Sequence, residues 1–240
     1  MSNAKDLPLL RLRFYLTASY SCSYLPGMEA RSQVAAPGYL IDTDVYSELI
    51  HFGFRRSGQH VYRPRCDSCQ ACISVRLPVA EFEPNRAQRR CQQRNADLTL
   101  RLLPLEFVEA HYLLYQRYQV ARHAGCGMDR DSREQFCSFL LQSHINSKLL
   151  EFSLAGEVVM VALVDRVMDG LSAVYTFFAP ELDKRGLGTF AVLTQTRLAR
   201  EMGLSYVYLG YWIEACDKMS YKKSYHPLEA LVDGSWQRLG

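Results

Sequence analysis

Phenols and cations are mixed along one stretch of this chain, from Tyr206 to Lys223, in a way that no simple core segment requires. Tyr206, Tyr208, Gly210 and Trp212 alternate with Val207, Leu209 and Tyr211, the two-residue period of a strand. Gly210 marks a place where a ligand or another backbone can come close. Beyond it, Lys218, Tyr221 and Lys222 share one face if Glu214 to Lys223 forms a helix. Cations beside phenols suit a phosphate or a nucleotide. Lys218 and Lys222 read as phosphate or solvent contacts rather than bases, because an unshifted lysine stays protonated at neutral pH.

A second candidate lies at Asp183-Lys-Arg-Gly-Leu-Gly-Thr189, which leads into a helix. Free amides at Gly186, Gly188 and Thr189, with the positive helix end, can face an anion, although a helix start that needs small residues explains the same pattern. Tyr175, Phe177 and Phe178 on one strand and Tyr208 and Tyr211 on another can form an aromatic wall, or else ordinary core. Asp165 ends the apolar run Val158 to Val164 and so enters near the core, where a carboxylate needs a partner; a turn-forming Asp before Met168-Asp-Gly170 is the plainer reading.

Arg55, Arg56, Arg63, Arg65 and Arg76 surround Gly58, Tyr62 and Pro64, and their forked donors suit carboxylates. The helix-compatible run Asn85 to Arg94 carries four arginines, a surface for a nucleic-acid backbone or an ordinary solvated helix. Cys66-Asp-Ser-Cys-Gln-Ala-Cys72 has two overlapping CxxC spacings, and Cys22 offers a fourth thiolate for a tetrahedral metal site; buried reduced thiols are the preferred reading, with no metal expected. Cys91, Cys126, Cys137 and Cys216 are scattered, with no base at fixed spacing to make a nucleophile.

The 240 residues are 48% apolar, ample for a packed core, and a formal charge of +3 makes local clustering of Lys and Arg more informative than the net balance. No apolar run approaches the ~18 residues that span a bilayer, and no signal-peptide order is seen, so a soluble, cytoplasmic protein is expected. A boundary falls between an Arg- and Cys-rich amino-terminal part, 1–97, and a more regular part, 98–240. In the first, Asp44 is expected to cap a helix ending at Gly53, and Ile73 to Val79 reads as a strand. In the second, a strand at Leu98 to Leu103 precedes helices at Leu105 to His123 and Ser132 to Ser143. Three antiparallel strands follow, Leu149 to Leu154, Glu157 to Asp165 and Leu171 to Phe178, then a helix from Gly186 to Gly203 and a strand from Leu204 to Gly210.

Three segments carry a family resemblance: Tyr208-Leu-Gly-Tyr-Trp-Ile with Cys216-Asp-Lys-Met-Ser-Tyr-Lys222, Gly53-Phe-Arg-Arg-Ser-Gly-Gln-His-Val-Tyr-Arg-Pro64, and Leu171-Ser-Ala-Val-Tyr-Thr-Phe-Phe-Ala-Pro180. Together they resemble the aminoacyl-tRNA protein transferases, which add an amino acid to protein amino termini, and the resemblance runs from about Cys22 to Trp236. The compact length is similar to the bacterial branch that moves leucine from leucyl-tRNA to amino-terminal Asp or Glu, marking proteins for degradation. It implies an α+β fold, an acetyltransferase-like (GNAT-like) mixed sheet flanked by helices, with a smaller cysteine- and arginine-rich amino-terminal domain.

The resemblance further implies a set of roles. Asp165, Tyr208 and Lys218 would be catalytic, with Asp165 binding the acceptor's amine or taking its proton. Tyr175, Phe177, Gly186, Gly188, Thr189, Tyr211, Tyr221 and Lys222 would hold the tRNA 3′ end. Arg55, Arg56, Tyr62, Arg63, Arg76 and His123 would hold the acceptor. The implied partners are leucyl-tRNA and proteins with amino-terminal Asp or Glu, with no cofactor and no membrane. Arginine as the donated residue, an acyl-CoA acyltransferase and a non-catalytic RNA-binding module stay open as alternatives.

Overall fold

The computed structural model describes residues 11–123 and 131–239. The amino-terminal part holds a four-stranded sheet in the order β1-β4-β6-β5 and a two-stranded ribbon. Its strands are β1 (Arg13–Leu16), β2 (Tyr20–Ser21), β3 (Glu29–Ala30), β4 (Ser32–Ala36), β5 (Arg55–Ser57) and β6 (His60–Pro64). Helix α1 (Thr43–His51) packs Val45, Tyr46, Leu49 and Ile50 inward. Asp42, rather than the expected Asp44, is its cap, because the Asp42 carboxylate sits outside the first turn and accepts from Val45 N at 2.9 Å.

From here the chain enters the larger sheet. β7 (Ile73–Pro78) is followed by α2 (Arg86–Arg94), β8 (Thr99–Leu103), α3 (Glu109–His123) and α4 (Arg133–Phe136). Next come β9 (Ser147–Leu154), β10 (Glu157–Arg166), β11 (Gly170–Phe178), α5 (Leu187–Glu201), β12 (Tyr206–Trp212), α6 (Asp217–Ser220), β13 (Leu228–Val232) and β14 (Ser235–Leu239). The sheet runs β14-β13-β7-β12-β11-β10-β9-β8. The meander β9-β10-β11 is antiparallel as expected, and the α5 crossover makes β12 parallel to β11. β7 pairs with β12 on one side and β13 on the other, so a strand from before residue 97 lies inside the sheet of the later part. The main core packs β7 and β12 residues Val75, Leu77, Val207 and Leu209 against Leu187, Ala191 and Leu193 of α5.

Two expected helices are shorter. The segment expected as Ser132 to Ser143 is α4 followed by a π-helical turn at Cys137–Leu141. That expected over Glu214 to Lys223 is α6 followed by a 3-10 turn at Tyr221–Ser224.

The alternation along β12 also breaks. Its register against β7 shifts between Tyr208 and Gly210, leaving Leu209 as the extra residue of a bulge, with Gly210 at φ +80°. Val207 and Leu209 face α5, Tyr206 and Tyr208 face the α1 side, and beyond the bulge the order flips. Tyr211 therefore joins the α1 side, its hydroxyl donating to Gly53 O at 2.9 Å, while Trp212 packs in the α5 core. A side chain at 210 would meet the Arg55 guanidinium at an ordinary 3.5 Å, so the positive φ is what calls for glycine. Gly210→Ala should lower the unfolding free energy by about 1–2 kcal/mol, read from the midpoint of urea unfolding at unchanged m-value.

Candidate active site

β11 and β12 pair only from Gly170 to Ser172 with Tyr206 to Tyr208, and then diverge. Both strands carry an extra residue where they part. The β10–β11 register jumps from Val164↔Ala173 to Leu163↔Tyr175, which leaves Val174 unpaired opposite the Leu209 bulge. Where β12 would have bonded the Ala173 carbonyl, the Arg55 guanidinium donates to it instead. The divergence opens a cleft of about 680 Å³, lined by Val174, Tyr175, Phe178, Leu209, Met219 and Tyr221 among others. Tyr118 of α3 stacks edge-on against Phe178, ring centroids 5.0 Å apart, and closes one side.

The amino end of α5 forms the rim. Gly186 sits in the left-handed region at φ +69° and, among the described residues, no side chain caps the helix, so the first amides, near Gly188 and Thr189, are left for a ligand or water. Asp183 also lines the cleft, and Arg122 pairs with it. α2 lies beside this rim: Cys91 Sγ contacts the Gly186 carbonyl at 3.3 Å, and Arg94 donates to the Lys184 carbonyl. Arg86 and Arg90 of α2 are exposed and, among the described residues, pair with no carboxylate.

Two buried cations meet at the splay. Lys222 is 6% exposed, and its ammonium nitrogen donates to the Tyr211 carbonyl. Burial, then the nearby Arg55 charge, push its pKa down to about 7, against a smaller opposing effect of Cys216. Arg55 is 8% exposed, and among the described residues one of its terminal nitrogens has no hydrogen-bond partner and no carboxylate pairs with it.

Of the expected donor-site residues, Tyr175, Gly186, Gly188, Thr189, Tyr221 and Lys222 line the cleft. Phe177 does not; it is core against Tyr115 and Phe136. Tyr211 is turned to the far side of β12 by the bulge.

Asp165 and Arg56 hold each other. Arg56 Nε and a terminal nitrogen reach the two Asp165 oxygens at 2.7 and 2.5 Å, Ser147 Oγ donates to Asp165 at 2.6 Å, and both side chains are sealed from solvent. Neither can therefore touch a substrate, which removes Asp165 as the amine's partner and Arg56 as an acceptor contact. Tyr208 is also buried away from the cleft, its hydroxyl 3.0 Å from Asp169 and 3.4 Å from Arg76. Burial, then the Asp169 charge, raise its pKa, the opposite of what a phenolate catalyst needs. Arg76 is bound to Glu229 at 2.7 Å and stacked 3.6 Å over Tyr206, and Arg63 donates to Gln33 and to the Phe52 carbonyl, so neither is free for an acceptor. The side chains of Lys218 and His123 lie outside the described residues.

Tyr62 lines a second cavity of about 560 Å³, which also gathers Cys22, Cys66, Cys69 and Cys72. Burial, then the neighbouring thiols, push the Cys72 thiol up to about 12. Among the described residues, no three His, Cys, Asp or Glu are grouped so as to hold a metal ion. Sequence reasoning missed Tyr118 and Gln195 as cleft residues. Gln195 had a signal: it is a polar residue on the face of α5 that Ala191, Val192 and Ala199 bury; in the structure its carbonyl oxygen has no partner among the described residues.

Diverging parallel strands with a bare helix end over the opening define an acyltransferase-like fold. FemX, a solved structure, shares it at TM-score 0.51 with 10% identity, covering 94% of this chain and 88% of that one. Residues 20–90 match the amino-terminal region, and 110–232 the carboxy-terminal region, of the arginine-tRNA-protein transferases. The chain is 58% identical to the aspartate/glutamate leucyltransferase of Thiobacillus denitrificans over 97% of both chains. It is 55% identical to the protein of that name from Chromobacterium violaceum, over 100% of this chain and 99% of the other. It belongs to the arginine-tRNA-protein transferase family and is a transferase.

Because Arg56 is locked to a buried carboxylate, its removal strands that charge. Arg56→Ala should cost about 3–5 kcal/mol in unfolding free energy, measured by urea denaturation, before any specific effect on a substrate is seen.

Proposed function

We propose that this protein moves leucine from leucyl-tRNA to the α-amine of proteins that begin with Asp or Glu, marking them for degradation. The cleft's chemistry carries this reading: an apolar and aromatic chamber beside a helix amino terminus, whose one carboxylate among the described lining residues, Asp183, is held by Arg122. The ester of leucyl-tRNA already stores the driving force, so the protein has to align two ends, move protons and stabilise the tetrahedral oxyanion. Val174, Tyr175, Phe178, Leu209 and Met219 bury the leucyl side chain. The α5 amides receive the terminal phosphates, with α2 beside them as a track for the tRNA backbone. Arg55, a buried cation with no carboxylate among the described residues, favours an anion at the splay, and the acceptor's acidic side chain is the anion available.

Two measurements test this. An arginyl guanidinium would lose its hydration in the cleft with no free carboxylate to meet it, whereas a leucyl side chain gains roughly 1.5–3 kcal/mol from apolar burial. Leucyl-tRNA should therefore be used at least ~100-fold better than arginyl-tRNA in a competition assay with an Asp-initiated peptide, a difference of about 2.7 kcal/mol. Equal use of the two would reject leucine as the donor residue. For the tRNA track, Arg86→Ala with Arg90→Ala should flatten the slope of log affinity against log salt by about 0.9 for each phosphate left without its arginine. An unchanged slope places the backbone elsewhere.

A further inference from the structure

Lys222 is placed unlike a phosphate-binding lysine. The short α6 and the turn after it fold its side chain under the cleft, where it is 6% exposed and its nitrogen meets one acceptor, the Tyr211 carbonyl. An ammonium has three donors, and among the described residues nothing accepts the other two. The groups that face it are Arg55 from β5, Cys216 at the start of α6 and the Tyr221 ring, 5.9 Å away. Among the described residues, the other charges lining the cleft, Asp183 and Arg122, are paired with each other. A cation is thus held beside a second cation with no anion among these residues to offset either. The neutral amine suits that place better: it keeps the bond to Tyr211 and leaves a lone pair.

We propose that Lys222 is the proton acceptor of the transfer reaction, taking a proton from the acceptor's α-ammonium at the splay between β11 and β12. This rests on the cleft being the leucyl-ester site. The first proton passes from the α-ammonium to the Lys222 nitrogen, and the freed amine attacks the ester carbonyl carbon, whose π electrons move to its oxygen. As the carbonyl re-forms, the bond to the ribose oxygen breaks and Lys222 returns the proton to that oxygen. The new amide nitrogen then gives its extra proton to Lys222, which releases it to solvent. One amide and one ribose hydroxyl form, and one proton is released. The depressed pKa, about 7, leaves a large share of Lys222 neutral at neutral pH and is matched to both halves of the cycle.

The sign of the pH dependence follows. Below about 7 Lys222 is protonated and the rate falls tenfold per pH unit; above it the rate levels. Single-turnover transfer from leucyl-tRNA to an Asp-initiated peptide, at saturating tRNA, should show that limb in the wild type. Lys222→Met should bind leucyl-tRNA within about twofold of the wild type yet transfer roughly 100-fold more slowly. Its limb should move up toward the acceptor amine's own pKa, roughly 8. Lys222→Arg, a permanent cation, should not restore the rate. NMR of lysine-labelled free protein, with the Lys222 signal assigned by its loss in Lys222→Met, should show titration near 7. Titration above 9, full activity in Lys222→Arg, or a variant that loses tRNA affinity but not its saturated rate each overturns the proposal. A wild type that binds leucyl-tRNA and titrates near 7 but forms no product overturns the leucyltransferase reading itself, and the proposal with it.

Discussion

The buried ion pair between Arg56 and Asp165 is the constraint on which the site depends. It joins β5 of the small sheet to β10 of the large one, with Ser147 of β9 as a third member. Two charges taken from water are tolerated there because the pair is two-pronged and the remaining carboxylate valence is met by a hydroxyl. The geometric consequence is larger than the energetic one. Successive side chains on a strand point to opposite faces, so pinning Arg56 inward on one side aims Arg55 the other way. That direction leads into the gap between β11 and β12, where the Ala173 carbonyl receives it. The clamp therefore fixes the position of the charge that sits beneath the cleft.

The cleft is made by two small irregularities. With regular pairing, β11 and β12 would stay bonded along their length and no opening would exist. Val174 and Leu209, one extra residue on each strand, bend them apart at the same level. The same bulge flips the order beyond it, sending Tyr211 to the α1 side that Tyr206 and Tyr208 already face, and Trp212 to the α5 core. One residue of insertion thus decides which aromatic groups a donor can meet.

Much of this fold is legible in the sequence. The apolar runs of β9, β10 and β11, the glycine turn before α5 and the helix-compatible run that forms α2 all rest on local chemistry that pattern reading captures. The site is legible in part, and the failures have one cause. Asp165 is expected to need a partner, and it has one, but pairing across 109 residues with Arg56 is a tertiary fact with no local mark. Tyr211 and Phe177 are misassigned because a bulge and a core face both look, in sequence, like ordinary alternation. Lys222 reads as a solvated cation because its burial depends on a turn that replaces the expected helix.

The electrostatics of the splay explain why the fold tolerates Arg55 and Lys222 together. Two buried cations with no carboxylate to pair them among the described residues destabilise the free protein, and proteins retain such arrangements chiefly at functional sites. Arg55 cannot relieve the stress by losing a proton, since a guanidinium stays charged; Lys222 can. Burial first, and the fixed cation second, bring the Lys222 pKa down to about 7, while the guanidinium keeps its own charge for an incoming carboxylate or a developing oxyanion. A carboxylate base at this position would be bound by Arg55, just as Asp165 is bound by Arg56. An amine beside a guanidinium avoids that capture, so the same neighbour that would bind an acid here adds to burial in loosening a lysine's hold on its proton.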